Sequence, residues 1–343
     1  MSSDSAGHRV FIERLVIAIA IVAFALLLWT LRSLFMLVFG ALLVAVILNV
    51  IATPLHARFR LPQRVTLLAS VLILAGLFGA SAWIFGAEVA QQSDAIRNAL
   101  PAAGEAFEAR LDAWALGDSL REWTQSLWSG ANIGTLAAMV SNTVGAALLM
   151  LVAGIYLAAR PNLYRTGIIK LVPKGGRELA GEAIDDTARA LRLWLLGRIV
   201  SMVAVGFLTW LGLTVIGVPS ALTLGLLAGL LEFVPYVGPI ASAVPAVLLA
   251  FAQSPDMALL TALLFFLIQQ FEGYVLEPLV QQHAVDLPPA LLLFALVAGG
   301  LVFGVIGVLF AEPLTVMLFV LVKRLYVREA LGTATSIPGE EKE

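Results

Sequence analysis

The chemistry of this chain is concentrated in a long apolar stretch that contains acids but no bases. The 124 residues between Arg198 and Lys323 include neither lysine nor arginine. An ionised carboxylate is costly to bury, so each acid there must take a proton, bind a cation, accept a hydrogen bond or reach water. The stretch is therefore expected to be the working part of the protein, and ion pairing within it is excluded. Its six acids are Glu232, Asp256, Glu272, Glu277, Asp286 and Glu312.

Two of these acids lie where a carboxyl group could take part in transport. Glu232 lies one turn before Pro235, and Tyr236 follows where the apolar run is interrupted. Glu232 could carry a proton, bind a cation or accept a hydrogen bond, unless the interruption lies at the membrane surface. Glu312 directly precedes Pro313 in a strongly apolar surrounding. A carboxyl group placed in this way can carry a proton, so Glu312 is the strongest candidate for coupling.

Amide side chains accompany a third acid. Gln269, Gln270 and Glu272 follow an apolar run, and on a helix Gln269 and Glu272 share one face while Gln270 does not. Amides supply donors and acceptors together, which suits a neutral polar or polyhydroxylated solute. Hydrogen bonding between helices explains the same residues equally well. The other acids are expected in loops or turns near the surface, without a direct role: Asp256, Glu277 and Asp286.

The composition is that of a membrane protein. Of the 343 residues 60% are hydrophobic and 13% charged, and the mean hydropathy is +0.96, whereas soluble domains have about 45–50% apolar and about 25% charged residues. There is no cysteine, and the three histidines have no partner at metal-ligand spacing. Thiol chemistry and a zinc site are therefore excluded. The net charge of −2 gives no indication of nucleic-acid binding, and no cofactor is expected.

Five apolar runs are long enough to cross a hydrocarbon core about 30 Å thick as single helices. Lysine and arginine gather after the second run, between the fourth and the fifth, and after the last apolar stretch. Because basic residues mark the cytoplasmic side, both termini are expected inside, with an even number of crossings. The five runs are residues 15–31, 34–51, 65–85, 136–158 and 199–216.

This pattern predicts an all-α polytopic membrane protein in six parts. Residues 1–87 are expected to form three N-terminal transmembrane helices. An amphipathic helical segment (88–135) then lies outside the cytoplasm as a lid, an oligomer contact or a helix on the bilayer surface. The fourth transmembrane helix (136–159) and a basic cytoplasmic linker and helix (160–198) follow. A transport core (199–322) leads to a cytoplasmic tail (323–343), whose last thirteen residues are expected to be disordered.

The transport core contains two apolar segments of awkward length, residues 219–252 and 287–322. Each is too long for one straight span and too short for two. Both are interrupted, the first at Pro235 and Gly238, the second at Gly304 and Gly307. Paired interruptions of this kind indicate a transporter binding site, because broken backbone at membrane depth must be buried in protein or line a cavity. A re-entrant hairpin, a kinked single span and an ordinary proline kink all fit this pattern.

These motifs resemble a known family. The run LLEFVPYVGPI at 230–240, with Val244-Pro245-Ala246 after it, is similar to the signature of the AI-2E (autoinducer-2 exporter) transporter family. Residues 269–278, the run GLVFGVIG at 300–307 and Ala311-Glu312-Pro313-Leu314 resemble it too. The layout agrees over the whole chain: paired N-terminal spans, a large outer segment, a basic inner linker and this C-terminal core.

The resemblance implies about eight transmembrane segments, two of them broken or re-entrant, in the inner membrane of a bacterium, and a homo-oligomer. It also implies export of a small polar solute such as autoinducer-2, or exchange of Na⁺ or Li⁺ for H⁺. Two positions depart from the family's pattern. Arg198 stands where a Gly-Gln pair is expected, and Glu312 places an acid before Pro313. Both departures indicate a different substrate or coupling ion.

The sequence therefore predicts a secondary transporter in the lipid bilayer for a small polar solute, a monovalent cation or protons, since no P-loop is present. A passive channel or facilitator and a non-transporting membrane scaffold are the alternatives, and an intramembrane enzyme is the least expected. The predicted pathway residues are Glu232, Pro235, Tyr236, Gly238, Gln269, Gln270, Glu272, Gly304, Gly307, Glu312 and Pro313.

Overall fold

The computed structural model describes residues 3–81, 83–84, 133–281 and 287–337, and these form an all-α polytopic architecture. Most of the predicted outer segment (88–135) and Asp286 lie outside the described residues. π-Helical turns at Glu272–Leu276 join α8 to α9, and those at Val322–Ala330 continue α11. The helices are α1 (Ser3–Phe59), α2 (Gln63–Ser81), α3 (Ile133–Ala159), α4 (Pro161–Leu171), α5 (Arg177–Ile216), α6 (Ala221–Leu231), α7 (Val237–Gln253), α8 (Pro255–Phe271), α9 (Glu277–Gln281), α10 (Pro289–Phe303) and α11 (Val305–Leu321).

Several of these helices can cross a membrane by length and composition. Within the described ranges there are five, and the number is six if α3 and α4, bent by 88° at Arg160, count as one span. The predicted runs at 65–85, 136–158 and 199–216 correspond to α2, α3 and the second half of α5. The five helical spans are Trp29–Phe59, Gln63–Ser81, Lys174–Ile216, Pro255–Leu279 and Val305–Ala330.

The N-terminal region differs from the prediction. Two spans were expected at 15–31 and 34–51, but α1 is one uninterrupted helix of 57 residues. No glycine or proline separates the two runs, and the polar side chains between them fit along the helix. Thr30 Oγ1 donates to the carbonyl of Leu26, and the Arg32 guanidinium lies 4.1 Å from the centre of the Trp29 ring. An uninterrupted helix leaves no turn between the two runs, so two separate crossings no longer follow from them.

The long helix α5 connects the basic linker to the membrane core without a break. It has 40 residues and carries the helix expected in the basic linker directly into the fifth apolar run. It ends where Gly217 takes a positive φ of 85° and donates its N–H to the carbonyl of Leu213. A glycine in this conformation ends a helix at little steric cost.

The first interrupted segment is a hairpin and not a kinked span. Leu224 on α6 shares a buried cluster with Ala246 and Ala250 on α7, so the two arms run antiparallel. Gly238, at the start of α7, touches the carbonyl of Leu231, where α6 ends. At 1.5 Å per residue, the 11 residues of α6 extend about 16 Å, roughly half of a hydrocarbon core. This arm is therefore too short to cross a bilayer.

The second interrupted segment is also a hairpin, and it turns at a single residue. Gly304 has φ 66° and ψ −147°, a conformation open mainly to glycine, and it separates α10 from α11. The two arms then run so close that the backbones of Gly299 and Gly307 touch. In a continuous helix residues eight apart would lie about 12 Å from each other. The open choice between a hairpin and a kinked span is thus decided for both segments.

The C-terminal tail is packed where disorder was expected. Gly332 turns with a positive φ of 63°, and Thr333 then donates its N–H to the carbonyl of Val327. The chain runs back along the C-terminal helix until Ile337, whose side chain is 2% exposed in the main core cluster with Leu191, Trp194 and others. Residues 331–337 are therefore ordered against the protein by the single buried side chain of Ile337, while most of the residues before it remain exposed. Residues 338–343 lie outside the described residues.

The close approach of the second hairpin's arms leads to a first prediction. Replacing Gly307 by alanine puts a Cβ atom against the carbonyl oxygen of Gly299, a backbone atom that cannot rotate away. We expect Gly307→Ala to lower the denaturation midpoint in detergent strongly. Gly76→Ala is the matched control, because its Cβ atom meets nothing within 4 Å. Equal midpoints for the two variants would contradict the hairpin.

The packed tail leads to a second prediction. Ile337→Ala removes buried methyl groups, and we expect it to lower the free energy of unfolding by about 2–5 kcal/mol. Leu331→Ala makes a similar change six residues earlier at a side chain that is 57% exposed, and a surface change of this kind has little effect. Denaturant titration of both purified variants measures the difference. An Ile337→Ala variant with the same free energy of unfolding as the wild type would show that the Ile337 side chain is not part of the core.

Candidate functional site

Arg198 lies where the long helix meets both hairpins. It projects from α5, and its side chain is 11% exposed. Its Nη1 atom donates to the backbone carbonyl of Glu232 over 3.2 Å and lies 3.7 Å from Oε1 of the same residue. Its Nη2 atom donates to Oε2 of Glu312 in an ion pair. One side chain therefore joins α5, the break of the first hairpin and the long arm of the second.

Small residues bring Glu232 to Arg198. Helices α5 and α6 are antiparallel neighbours, and they pack so closely that a Cβ atom on Gly229 would lie 2.7 Å from the carbonyl oxygen of Met202. One turn beyond Gly229 on α6 is Glu232, and one turn before Met202 on α5 is Arg198. The antiparallel direction makes these two positions face each other. The glycines of this helix pair thus set the distance at which the charges meet.

Packing of apolar side chains fixes the positions of Arg198 and Glu312. Phe233, next to Glu232, packs its ring edge-on against Trp194 of α5, with 5.8 Å between the ring centres. On α11, Val316 and Val320 are fully buried in the same core cluster as Trp194 and its neighbours. Glu312 lies one turn before Val316 on α11 and Arg198 one turn after Trp194 on α5. The packed core therefore aligns the carboxylate with the guanidinium.

Glu232 is buried and only partly paired. Its side chain is 1% exposed, and Oε2 has no hydrogen-bond partner among the described residues. Its backbone carbonyl is free to accept from Arg198 because the helix ends at Leu231. Buried polar atoms nearly always have a partner, so an oxygen without one is a place for a proton, a water molecule or an ion.

A cavity of about 120 Å³, with charged and polar side chains among its lining, adjoins these groups. Besides Oε2 of Glu232, the indole Nε1 of Trp194 is buried without a hydrogen-bond partner among the described residues, and both side chains line the cavity. Four carboxylates and one guanidinium reach its walls, which gives it an excess of negative charge when the acids are ionised. Its lining is Trp194, Gly197, Arg198, Ser201, Glu232, Pro235, Tyr236, Gln269, Glu272, Gly273, Glu277, Leu287, Pro289, Leu292 and Glu312.

The open wall of the cavity is built on the end of α8 and its π-helical turn. Gln269 donates its amide N–H to Oε2 of Glu272 over 2.6 Å, as the shared helix face predicts. The Glu272 carboxyl group also lies beside that of Glu232. Gln270 is not among the residues that line the cavity. Glu277, expected in a surface loop, lies on this wall as well.

Tyr236 occupies a strained backbone position in the first break. Its φ is 61°, and positive values are rare for a residue with a large side chain. Pro235 precedes it, and Gly238 then donates its N–H to the carbonyl of Val234 to start α7. Strained residues persist where the surrounding structure holds them, often at functional sites. The strain here places the Tyr236 ring at the cavity.

The structure brings about half of the predicted pathway residues together at the cavity. Most of the others shape the backbone of the two hairpins. The cavity receives Glu232, Pro235, Tyr236, Gln269, Glu272 and Glu312. Gly238, Gly304 and Gly307 shape the two hairpins without reaching it, and Pro313 is buried inside α11. Sequence reasoning missed the α5 wall, namely Trp194, Gly197, Arg198 and Ser201.

The exclusion of ion pairs from the core was wrong. The charged partner of Glu232 and Glu312 is Arg198, which stands one position before the base-free stretch. It lies 34 residues before Glu232 and 114 before Glu312 in the chain. A signal for the pair was present, since Arg198 and Glu312 were the two departures from the family's pattern. The structure bonds these departures to each other.

The two broken hairpins meeting at a polar cavity, within a bundle of apolar helices, define a polytopic membrane protein of the transporter class. Comparison with known proteins agrees, because the model of the AI-2E family transporter matches residues 16–326. The chain belongs to the AI-2E transporter family. This is a family of transporters and not of enzymes.

Several named proteins are similar to the chain. Putative transport protein YrrI of Bacillus subtilis strain 168 is 30% identical over 166 residues, which cover 48% of this chain and 47% of that protein. Putative transport protein YueF of the same organism is 30% identical over 145 residues, 42% of this chain and 39% of its own length. The match thus spans less than half of these two relatives. AI-2 transport protein TqsA of Escherichia coli strain K12 is 24% identical over 290 residues, 81% of this chain and 82% of that protein.

The Arg198–Glu312 ion pair leads to a third prediction. Glu312→Gln replaces a charge-assisted hydrogen bond by a neutral one, and Glu232 is then the nearest remaining counter-charge. Hydrogen bonds to charged groups contribute about 1.5–3 kcal/mol, so we expect a loss of that size in the free energy of unfolding. Asp185→Asn is the control, because its pair with Arg165 is exposed and such pairs contribute little. Denaturant titration compares the two, and equal losses would show that burial does not strengthen the core pair.

Proposed function

We propose that this protein is a secondary transporter that exports a small polar solute through the cavity at Arg198 and couples this movement to protons carried by Glu232. The observation that carries the proposal is the buried Oε2 atom of Glu232, which has no hydrogen-bond partner among the described residues and belongs to a side chain that lines the cavity. A carboxyl group in this place can take up a proton from the cavity and return it. Glu312 is less suited to that role, because its carboxylate is paired with Arg198.

The cavity supports a small and polar substrate. A volume of about 120 Å³ is well above the roughly 10–15 Å³ that one water molecule needs, so the cavity has room for a small solute. The hydroxyl groups of Ser201 and Tyr236 and the amide of Gln269, whose side chains line the cavity, can bind hydroxyl or carbonyl groups. The name of TqsA, an AI-2 transport protein, makes autoinducer-2 the first solute to try.

A second candidate function is the exchange of Na⁺ or Li⁺ for H⁺. The observation that favours it is the excess of carboxylates over bases on the cavity wall. A passive channel or facilitator would use the same cavity without coupling, and a scaffold would not need it at all. Within the described residues no group of three or more His, Asp or Glu side chains could hold a metal ion, so the acids do not form a dedicated cage.

The two hairpins support movement by alternating access. Each hairpin has a short arm, α6 or α10, that does not span a bilayer on its own. Both hairpins contribute residues to the cavity lining, and Arg198 bonds to both. We propose that the hairpins shift against α5 when Glu232 changes its protonation, which opens the cavity to one side and then to the other. As the setting we propose the inner membrane of a bacterium and a homo-oligomer, as the family resemblance implies, with cytoplasmic termini, as the distribution of lysine and arginine indicates.

A transport assay tests the proposal. Purified protein is placed in liposomes with a trapped pH dye, and autoinducer-2, Na⁺, Li⁺ or K⁺ is added outside. We expect the wild type to give a pH change with the solute and Glu232→Gln to lose it at least tenfold, because the amide cannot carry a proton. A Glu232→Gln variant with full proton movement would refute the role of Glu232.

Two controls make the result specific. Asp256→Asn removes an exposed acid at the start of α8, outside the cavity lining, and it should leave proton movement unchanged. Solute uptake without any pH change in the wild type would favour a passive channel. A pH change with Na⁺ and Li⁺ but not with solute or K⁺ would favour the second candidate. No movement of any kind, in protein shown to be folded and inserted, would favour a scaffold.

A further inference from the structure

The guanidinium group of Arg198 fills a position surrounded by oxygen atoms of both hairpins. Three of them face it: the backbone carbonyl of Glu232, Oε1 of Glu232 and Oε2 of Glu312. Carbonyl and carboxylate oxygens are the ligands that small hard cations prefer. The carbonyl is the last of a helix that ends at Leu231, and the negative end of a helix dipole adds to its attraction for a positive charge. Oxygens freed at broken helices bind the coupling ion in other transporter folds.

We infer that Arg198 is a specificity-determining residue that acts as a tethered cation: it occupies a monovalent cation site between the two hairpins and thereby makes the transporter independent of Na⁺ and Li⁺. The inference rests on the proposed function, because it takes the cavity as the transport site. It decides between the two candidates of that proposal, since a site already filled by a guanidinium has no place for a metal ion. The proton at Glu232 is then the coupling ion.

Charge balance supports this reading. The ion pair with Arg198 holds the Glu312 carboxylate in an apolar bundle, where an unpaired charge is very costly. Without the guanidinium, two carboxyl groups that are 1% and 13% exposed would have no counter-charge in contact. They would have to bind protons or attract a cation from the cavity. Removal of one side chain should therefore turn a cation-independent site into a cation-binding site.

The same geometry explains why an arginine suits this place. The planar guanidinium donates from two nitrogens in different directions, so it can bond to the first hairpin with Nη1 and to the second with Nη2. A metal ion would leave with the substrate or enter from one side, whereas the arginine is fixed to α5. The oxygen atoms that could bind a cation are thus retained, but the positive charge that they hold cannot dissociate.

Direct cation binding tests the inference without any transport. Wild type, Arg198→Gln and Arg198→Ala are purified in detergent, and saturable binding of ²²Na⁺ is measured with choline chloride keeping the ionic strength constant. We expect no saturable binding to the wild type and millimolar binding to both variants. Li⁺ should compete for it. In Arg198→Ala, millimolar guanidinium should compete as well, because it can enter the space that the side chain has left.

Two further variants make the result decisive. Arg192→Gln removes the same charge from an exposed position of α5 and should bind no ²²Na⁺. The double variant Arg198→Gln with Glu312→Gln should lose the binding that Arg198→Gln gains, because one of the ligands is missing. Binding to the wild type as strong as to Arg198→Gln would overturn the inference. So would a folded Arg198→Gln or Arg198→Ala that binds no ²²Na⁺, or a double variant that keeps full binding.

The outcomes also separate this inference from the proposed function. If Glu232→Gln abolishes proton movement in liposomes while the wild type binds ²²Na⁺, the protein is a transporter but Arg198 is not a substitute for the cation. If the variants gain ²²Na⁺ binding while the wild type moves neither solute nor protons, the site is as inferred and the transport proposal fails. Size-exclusion elution and a denaturation midpoint establish that each variant is folded, and added NaCl should raise the midpoint of Arg198→Gln but not that of the wild type.

Discussion

The positive charge of Arg198 in the apolar core is the constraint on which the arrangement of the hairpins depends. Arg198 can be stable there only where ionised and dipolar oxygens surround it, and these come from two segments that are far apart in the chain. The break after Leu231 frees a carbonyl, and the second hairpin brings a carboxylate. If either hairpin were a straight helix, its oxygen would be engaged in the helix or lie elsewhere. The charge and the breaks therefore require each other.

The two hairpins solve the same problem of reversing the chain inside an apolar bundle by different means. The first uses several residues and holds Tyr236 in a strained conformation, so a side chain with a hydroxyl group comes to the cavity. The second uses Gly304 alone and brings the backbones of its arms into contact. The first break thus brings a polar side chain to the cavity, whereas the second holds α11, and with it Glu312, in position. The two segments therefore repeat each other only in being hairpins, and not in how each one turns.

Local patterns were sufficient to predict the helical class, the position of both interruptions and most of the acidic cavity. Burial cost singled out Glu232 and Glu312, and helical spacing placed Gln269 and Glu272 on one face, as the structure has them. Arg198 was beyond that reasoning, because its contacts depend on how close α5 and α6 pack, and this depends on backbone approaches that no periodicity records.

Other differences have similar causes. The single helix α1 shows that two apolar runs next to each other do not make two spans unless a residue such as glycine or proline ends the first. Ile337 shows that composition averages hide single side chains: a polar tail was expected to be disordered, yet one isoleucine in it reaches the core. The missing helix breaker decided the outcome for α1, and a long-range contact decided it for Ile337. Neither can be recognised from the average composition of the segment.

The length of α5 has a mechanical consequence. Near its N-terminal end Glu182 pairs with Arg324, and 16 residues later the same helix carries Arg198 among the two hairpins. At 1.5 Å per residue the two places lie about 24 Å apart on one rod. A slide or turn of the helix must displace both sets of charges at once. The Glu182–Arg324 contact and the buried contacts of Arg198 are therefore coupled through one rigid helix, so a displacement at the first changes the geometry at the cavity directly.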